Sequence, residues 1–347
     1  MTGIDRRGFV AGLGALAWPW AARPAPAAGS RWTALGADAR MAASPFRWTE
    51  LGPDAWMVER GGGNSTVLRE RGGAVVIDLK LGGIGAALER EVRARVGPVQ
   101  AVIITHHHAD HSEGLPAFPT ERSWAHRAAA GRINADQART TEAARANPAR
   151  LVDRTYESLA RDFDLARNEA TEPDVRRFVE WAAAARPEAR APTILVEDRA
   201  EIEFGATRLE LIHPGPAHTD NDLFVLDRRR GLVITGDLLF HRHHPFIDRD
   251  AGATTAGWQR AIDQILAAAP ERPKVVPGHG PVTTADALRA QRRYFDVVRE
   301  LVERARAQGR TRQAITAIPA SEFRDWGFGD LWSENLGVLY DEGTGSR

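Results

Sequence analysis

Residues 101–114 read AVIITHHHADHSEG, and no other stretch constrains this chain as tightly. Residues 101–104 are a short apolar run of the kind that fills a buried strand. The turn that leaves it presents His106, His108, Asp110 and His111. Imidazole nitrogen and carboxylate oxygen are ligands of divalent zinc in catalytic sites. Groups so closely spaced at the end of one strand can converge on one or two ions. The rival reading, a solvated histidine-rich loop, is outweighed by the partners that follow downstream.

Those partners come in order. GPAHTDND (215–222) offers His218 in a Gly/Pro turn, and LVITGDLLF (232–240) offers Asp237 at the end of an apolar run. VVPGHGPV (275–282) offers His279 just past another. From about residue 48 to residue 282 this set resembles the metallo-β-lactamase superfamily of hydrolases. The resemblance implies that His106, His108 and His218 hold one metal, that Asp110, His111 and His279 hold a second, and that Asp237 bridges them. It implies two Zn2+ per chain, with Fe or Mn as the other metals such a site accepts. Many class B β-lactamases place Cys where this chain has Asp237; glyoxalase II-like branches place Asp there. Glu113-Gly114 stands where Gly-Gly is common.

The fold implied is α/β, a four-layer αββα sandwich with a helical insertion after the HxHxDH motif. The residues agree: a helix over 83–96 between strands at 74–78 and 99–104 makes a layered α/β domain. Residues 115–190 are rich in Ala, Arg and Glu and sparse in β-branched residues. Helices are expected there near 121–146, 149–166 and 173–185, serving as a lid, a homodimer interface or a passive layer. Strands return at 194–196, 200–204, 207–212, 223–226 and 232–235, laid out like the first half. Helices follow over 255–269 and 284–308, then an aromatic-rich tail to 347 that docks onto the domain. The whole of 30–347 reads as one domain.

Smaller features carry alternatives. Gly61-Gly62-Gly63-Asn64 is a turn rather than a phosphate loop, because no helix of the required glycine spacing follows it; a flap over the site is its other reading. Asp78 is an ordinary strand-end carboxylate or an acceptor that orients the histidine loop. His107 is a spacer that should point away from the metals, and His213 and His126 read as structural. His241, His243 and His244 lack a second cluster to complete a third metal site; His244 is the one best placed to face a substrate.

Residues 1–29 read as an export signal. Arg6-Arg7 lies in a twin-arginine-like motif, a broken apolar segment follows, and Ala25-Pro26-Ala27 suits cleavage. The segment is too short and too interrupted by Gly and Pro to serve as a membrane anchor. The mature protein is therefore expected in the periplasm or secreted, delivered by the twin-arginine export machinery, with no stable membrane anchor. Basic and acidic residues balance at 46 each, which gives no reason to expect nucleic acid as a partner. With no cysteine, thiolate ligands, thiol nucleophiles and disulfides are excluded.

The expected activity is that of a zinc-dependent hydrolase. A hydroxide shared by the metals attacks an ester, amide or lactone in a small-molecule substrate, with Asp110 as the catalytic carboxylate. β-Lactams and thiolesters are the alternative substrates. Export favours the first and Asp237 disfavours it; for the second the two reverse.

Overall fold

The computed structural model describes residues 44–184, 192–205 and 207–344. The expected signal segment lies outside the described residues.

The apolar runs form two sheets. In the first, β1 (Arg47–Gly52), β2 (Ala55–Glu59), β3 (Ser65–Glu70), β4 (Gly73–Ile77), β5 (Val99–Ile103), β6 (Ser123–His126) and β7 (Ile194–Val196) pair in chain order. In the second, β8 (Arg199–Phe204), β9 (Thr207–Ile212), β10 (Phe224–Asp227), β11 (Leu232–Phe240) and β12 (Lys274–His279) do likewise. The early strands of each sheet are antiparallel, whereas β4 to β7 and the β11–β12 pair are parallel.

Parallel neighbours need crossovers. α1 (Ile84–Arg95) carries the chain from β4 to β5, and the short α2 (Ala109–Ser112) follows β5. α3 (Arg127–Ala146), α4 (Pro148–Asp162) and α5 (Glu172–Ala184) lie between β6 and β7. α6 (Thr255–Ala268) joins β11 to β12, and α7 (Ala285–Ala307), α8 (Arg312–Thr316) and α9 (Leu331–Thr344) complete the chain. No helix among the described residues is long and apolar enough to cross a membrane.

Strand alternation sets the layers. In β4, Val75 and Ile77 face the core between the sheets, while Ala74 and Val76 face the helices outside. β11 repeats this, with Leu232 and Ile234 inward and Val233 outward. Each fully buried Val or Ile contributes roughly 1.5–3 kcal/mol relative to exposure. The result is the αββα sandwich.

Three expectations need correction. Residues 123–126, assigned to the first insertion helix, form β6, because Ser123-Trp124-Ala125-His126 pairs beside β5 in the sheet; the helix begins at Arg127. Residues 194–196, grouped with the second set of strands, pair with β6 in the first sheet. The 232–235 strand runs on to Phe240, so Asp237 sits within β11 rather than beyond it. The break after α3 is local chemistry: Asn147 accepts from the Arg150 N–H at 3.0 Å, and Pro148 starts α4 where no N–H is needed.

The tail docks through its aromatics. Trp326 stacks on Tyr294 of α7, and Asn335 donates to the Tyr294 hydroxyl and to Pro245 O, each at 2.9 Å. His244 is buried in this cluster, its Nδ1 3.2 Å from the Tyr294 hydroxyl. It packs against the tail and does not line the cavity over the candidate ligands, where the sequence placed it toward a substrate.

Candidate metal centre

The carboxyl ends of β5, β11 and β12 meet where the two sheets come together. Asn64 ties them: its backbone N–H donates to Gly278 O at 2.7 Å, and its side chain donates to Pro277 O and Gly280 O. The Gly61–Gly63 turn is buried beneath the site rather than laid over it as a flap. A Cβ on Gly63 would overlap the His111 ring, and one on Gly278 would overlap Asp237 Oδ1. Lys80 secures the turn from below, its Nζ donating to Val58 O and Gly63 O at 2.6 Å each. Burial lowers this lysine to about 7, against the opposing pull of Glu59, Asp110 and Asp78.

After β5 the backbone bends over residues 105–107, is extended at His108 and then enters α2. That change fans the side chains. His106 Nε2 lies 3.1 Å from His108 Nδ1, and His218 Nε2 lies 3.0 Å from the same atom. The other ring nitrogens are engaged. His108 Nε2–H donates to Asp248 Oδ2 at 2.9 Å, and His218 Nδ1–H donates to Phe246 O at 2.8 Å. His106 Nδ1 lies 3.1 Å from Thr105 Oγ1, whose own proton goes to Asp78. With the outer nitrogens as the donors, Nε2 of His106 and of His218 and Nδ1 of His108 converge on one point, a shape that suits a cation.

Asp110, His111 and His279 form the adjoining group. Asp110 Oδ2 is 3.3 Å from His279 Nε2 and 3.4 Å from His111 Nε2. Asp237 lies between the groups: Oδ1 is 3.0 Å from His111 Nε2, and Oδ2 is 3.2 Å from His279 Nε2 and 3.5 Å from His218 Nε2. Although they lie 3.0 Å apart, His111 Nε2 and Asp237 Oδ1 are buried and make no hydrogen bond, to each other or to another group. Converging imidazole and carboxylate groups with buried polar atoms left unbonded are what a bound cation satisfies, so the donor set fits divalent metal.

The electrostatics divide the site. Burial holds His106 well below its usual range, with His111 adding to it, and brings His218 to about 3, with His108 adding to it. His108 between them is raised instead, because the hydrogen bond and charge of Asp248 outweigh its burial. Burial also opposes charge on His279 and His111. There the carboxylates win, chiefly Asp237 and then Asp110, raising His279 to about 9 and His111 well above its usual range. Burial resists ionisation of Asp110 and Asp237, but the neighbouring histidines keep both well below the usual carboxylate range. The second group thus sits in a field that draws positive charge.

Other polar groups hold this frame. His107 is buried outside both groups; Asn221 accepts from its backbone N–H and donates to its Nδ1, each at 3.0 Å. His213 Nδ1–H donates to Asp222 O at 2.8 Å, and its ring stacks on that of His126. His126 accepts the Ala128 N–H at the start of α3. Glu113 is buried and accepts from Gly82 N at 3.0 Å. A cavity of about 90 Å³ opens onto His108, Asp110, Asp237 and His279.

The family model that matches is the metallo-beta-lactamase superfamily, over residues 58–279. The chain belongs to this superfamily. Its members are typically hydrolases. No curated protein matches the chain. Among solved structures, this superfamily chain is similar to the stereoselective inverting sec-alkylsulfatase Pisa1 from Pseudomonas sp. The TM-score is 0.60 at 18% identity, covering 86% of this chain and 50% of that one. It is also similar to a metallo-beta-lactamase from Pontibacter korlensis, with TM-score 0.49 and 16% identity over 71% of this chain and 96% of that one. A metallo-beta-lactamase from Hirschia baltica gives TM-score 0.47 and 16% identity over 72% and 96%. At such identities the likeness speaks for the fold alone.

Asp248, Thr105, Asn221 and Lys80 received no role from the sequence. Asn221 follows His218 closely enough to draw notice. Asp248 had no such signal, because only the fold brings the loop after β11 against His108.

Proposed function

We propose that this chain is an exported, binuclear zinc-dependent hydrolase of ester, amide or lactone substrates. The observation that supports it best is the convergence of ring nitrogens of His106, His108 and His218 on one point, beside His111 Nε2 and Asp237 Oδ1, which make no hydrogen bond, beneath a cavity open to solvent. His106, His108 and His218 would hold one ion, Asp110, His111 and His279 the other, with Asp237 shared between them. Bound zinc would supply an activated water nucleophile and polarise the scissile group. The chain's own part is orientation. Asp78 and Asp248 fix the imidazoles from behind. Asp110 lines the cavity with a carboxylate held ionised, its Oδ2 turned toward His111 and His279, where it would help hold the second ion.

Metal analysis of the purified protein, with an ester, lactone, amide, thiolester and β-lactam panel before and after chelation, tests the reading. Close to two zinc ions per chain and hydrolysis abolished by chelation are expected. Full activity in metal-free protein would overturn it. The export part is tested by Arg6→Lys with Arg7→Lys, which should leave the precursor in the cytoplasm; unchanged mature protein in the periplasm counts against it.

A further inference from the structure

Resting on the hydrolase reading, we propose that the site accepts substrates with an apolar, uncharged arm, seated in an aromatic collar that Phe328 completes. The cavity floor is polar, but its walls are Phe163, Phe240, Phe246, Phe328 and Leu331. They come from separate parts of the chain. Phe163 ends α4 of the insertion, Phe246 lies after β11, and Phe328 and Leu331 belong to the tail. The ring centroids of Phe163 and Phe328 lie 6.0 and 5.3 Å from that of His279, and Phe246 lies 5.6 Å from His108. Phe163, Phe246 and Phe328 are only half-buried, so apolar ring surface remains for an arm to cover. The charged pair on the cavity wall is internally matched: Arg161 donates to Asp162 at 2.8 and 2.6 Å. An anionic tail therefore meets a neutralised pair there.

Phe328 is also held in an unfavourable backbone state. Its φ is +55°, a left-handed conformation that costs a bulky residue energy and a glycine almost none. Hydrogen bonds on both sides impose it: Gly327 N–H donates to Arg242 O, His244 N–H donates to Gly327 O, and Leu331 N–H donates to Phe328 O, each at 2.9 Å. Glycine stands on either side, yet the left-handed position between them carries a phenyl ring aimed at the cavity. Strain retained where a smaller residue would relax it points to a use for the ring.

The test is calorimetric binding of straight-chain carboxylates, acetate to hexanoate, and of succinate to the zinc-loaded protein. Hydrolysis of the matching 4-nitrophenyl esters is measured in parallel. Affinity should rise up to about fourfold per methylene until the arm passes the rim, and succinate should bind no better than acetate. Phe328→Gly should cut the hexanoate-to-acetate ratio by about tenfold. Phe163→Ala should reduce the ratio from the insertion side. A flat series, succinate matching butyrate, or an undiminished ratio in Phe328→Gly would overturn the proposal. Graded carboxylate binding with no turnover of these esters or of the wider panel would leave the collar standing and sink the hydrolase reading; turnover without arm dependence would do the reverse.

Discussion

Oδ2 of Asp78 accepts from His111 Nδ1 and from Thr105 Oγ1, each at 2.8 Å. Through Thr105 the same carboxylate reaches His106, so one buried acid orients an imidazole of each group. Asp78 also adopts φ +62°, which few residues besides Asn and Asp tolerate. Asp78→Asn keeps the backbone and the shape but loses the charge and sets an amide donor against His111. Zinc titration should show affinity lowered by about tenfold to hundredfold at the group containing His111. Unaltered affinity would return Asp78 to the role of a plain strand-end residue.

Asp248 plays the corresponding part for His108. Removing it in Asp248→Ala frees the ring to turn and to change tautomer. The three-histidine group should lose zinc by a similar factor of roughly tenfold to hundredfold, while His107→Ala leaves metal content near normal. Equal metal loss in both variants would contradict the division of roles between the adjacent histidines.

Asp237→Asn separates the two ions. A carboxylate can give an oxygen to each, whereas an amide does so poorly and leaves the repulsion between dications unrelieved. The ion held by Asp110, His111 and His279 should be lost first, the three-histidine ion should persist, and turnover should fall by more than about a hundredfold. Two tightly held ions with near-native turnover would remove Asp237 from the ligand set.

Lys80 gives a pH signature in stability rather than in rate. Its folded value of about 7 lies below the ordinary 10.5, so the folded chain releases the proton first. Between those values the unfolded state binds more protons, and stability rises with pH. It levels off above the ordinary value. The gain across the window is on the order of a few kcal/mol. Denaturant melts from pH 7 to 9.5 should show the rise, and Lys80→Met should flatten it. A slope unchanged by Lys80→Met would place its origin elsewhere.

Much of this architecture was legible because the site is built on local signals. The 101–114 stretch carries its own strand and turn, and the apolar runs ending near Asp237 and His279 announce theirs. β6 was hidden because four residues of mixed composition ahead of a long helical pattern leave no strand period to detect. Its strand character comes from pairing beside β5. Asp248, the aromatic collar and the burial of His244 were hidden for a related reason. Each depends on contacts between segments far apart in sequence, and composition and spacing carry no record of those. The tail's docking was foreseeable from its aromatics, but not that one of them would stand over the cavity.

Asn64 fastens the first sheet to the end of β12, and the candidate ligands are divided in the same way. Four lie between residues 106 and 111, while the others arrive at 218, 237 and 279. During synthesis the first half therefore emerges with a complete strand end but an incomplete set of donors. Neither group closes until His218 or His279 has followed, and Asn64 has no partner on the second sheet until β12 exists. The order in which the candidate ligands come together is thus written into the chain's direction. The centre is sealed late, once most of the polypeptide has left the ribosome.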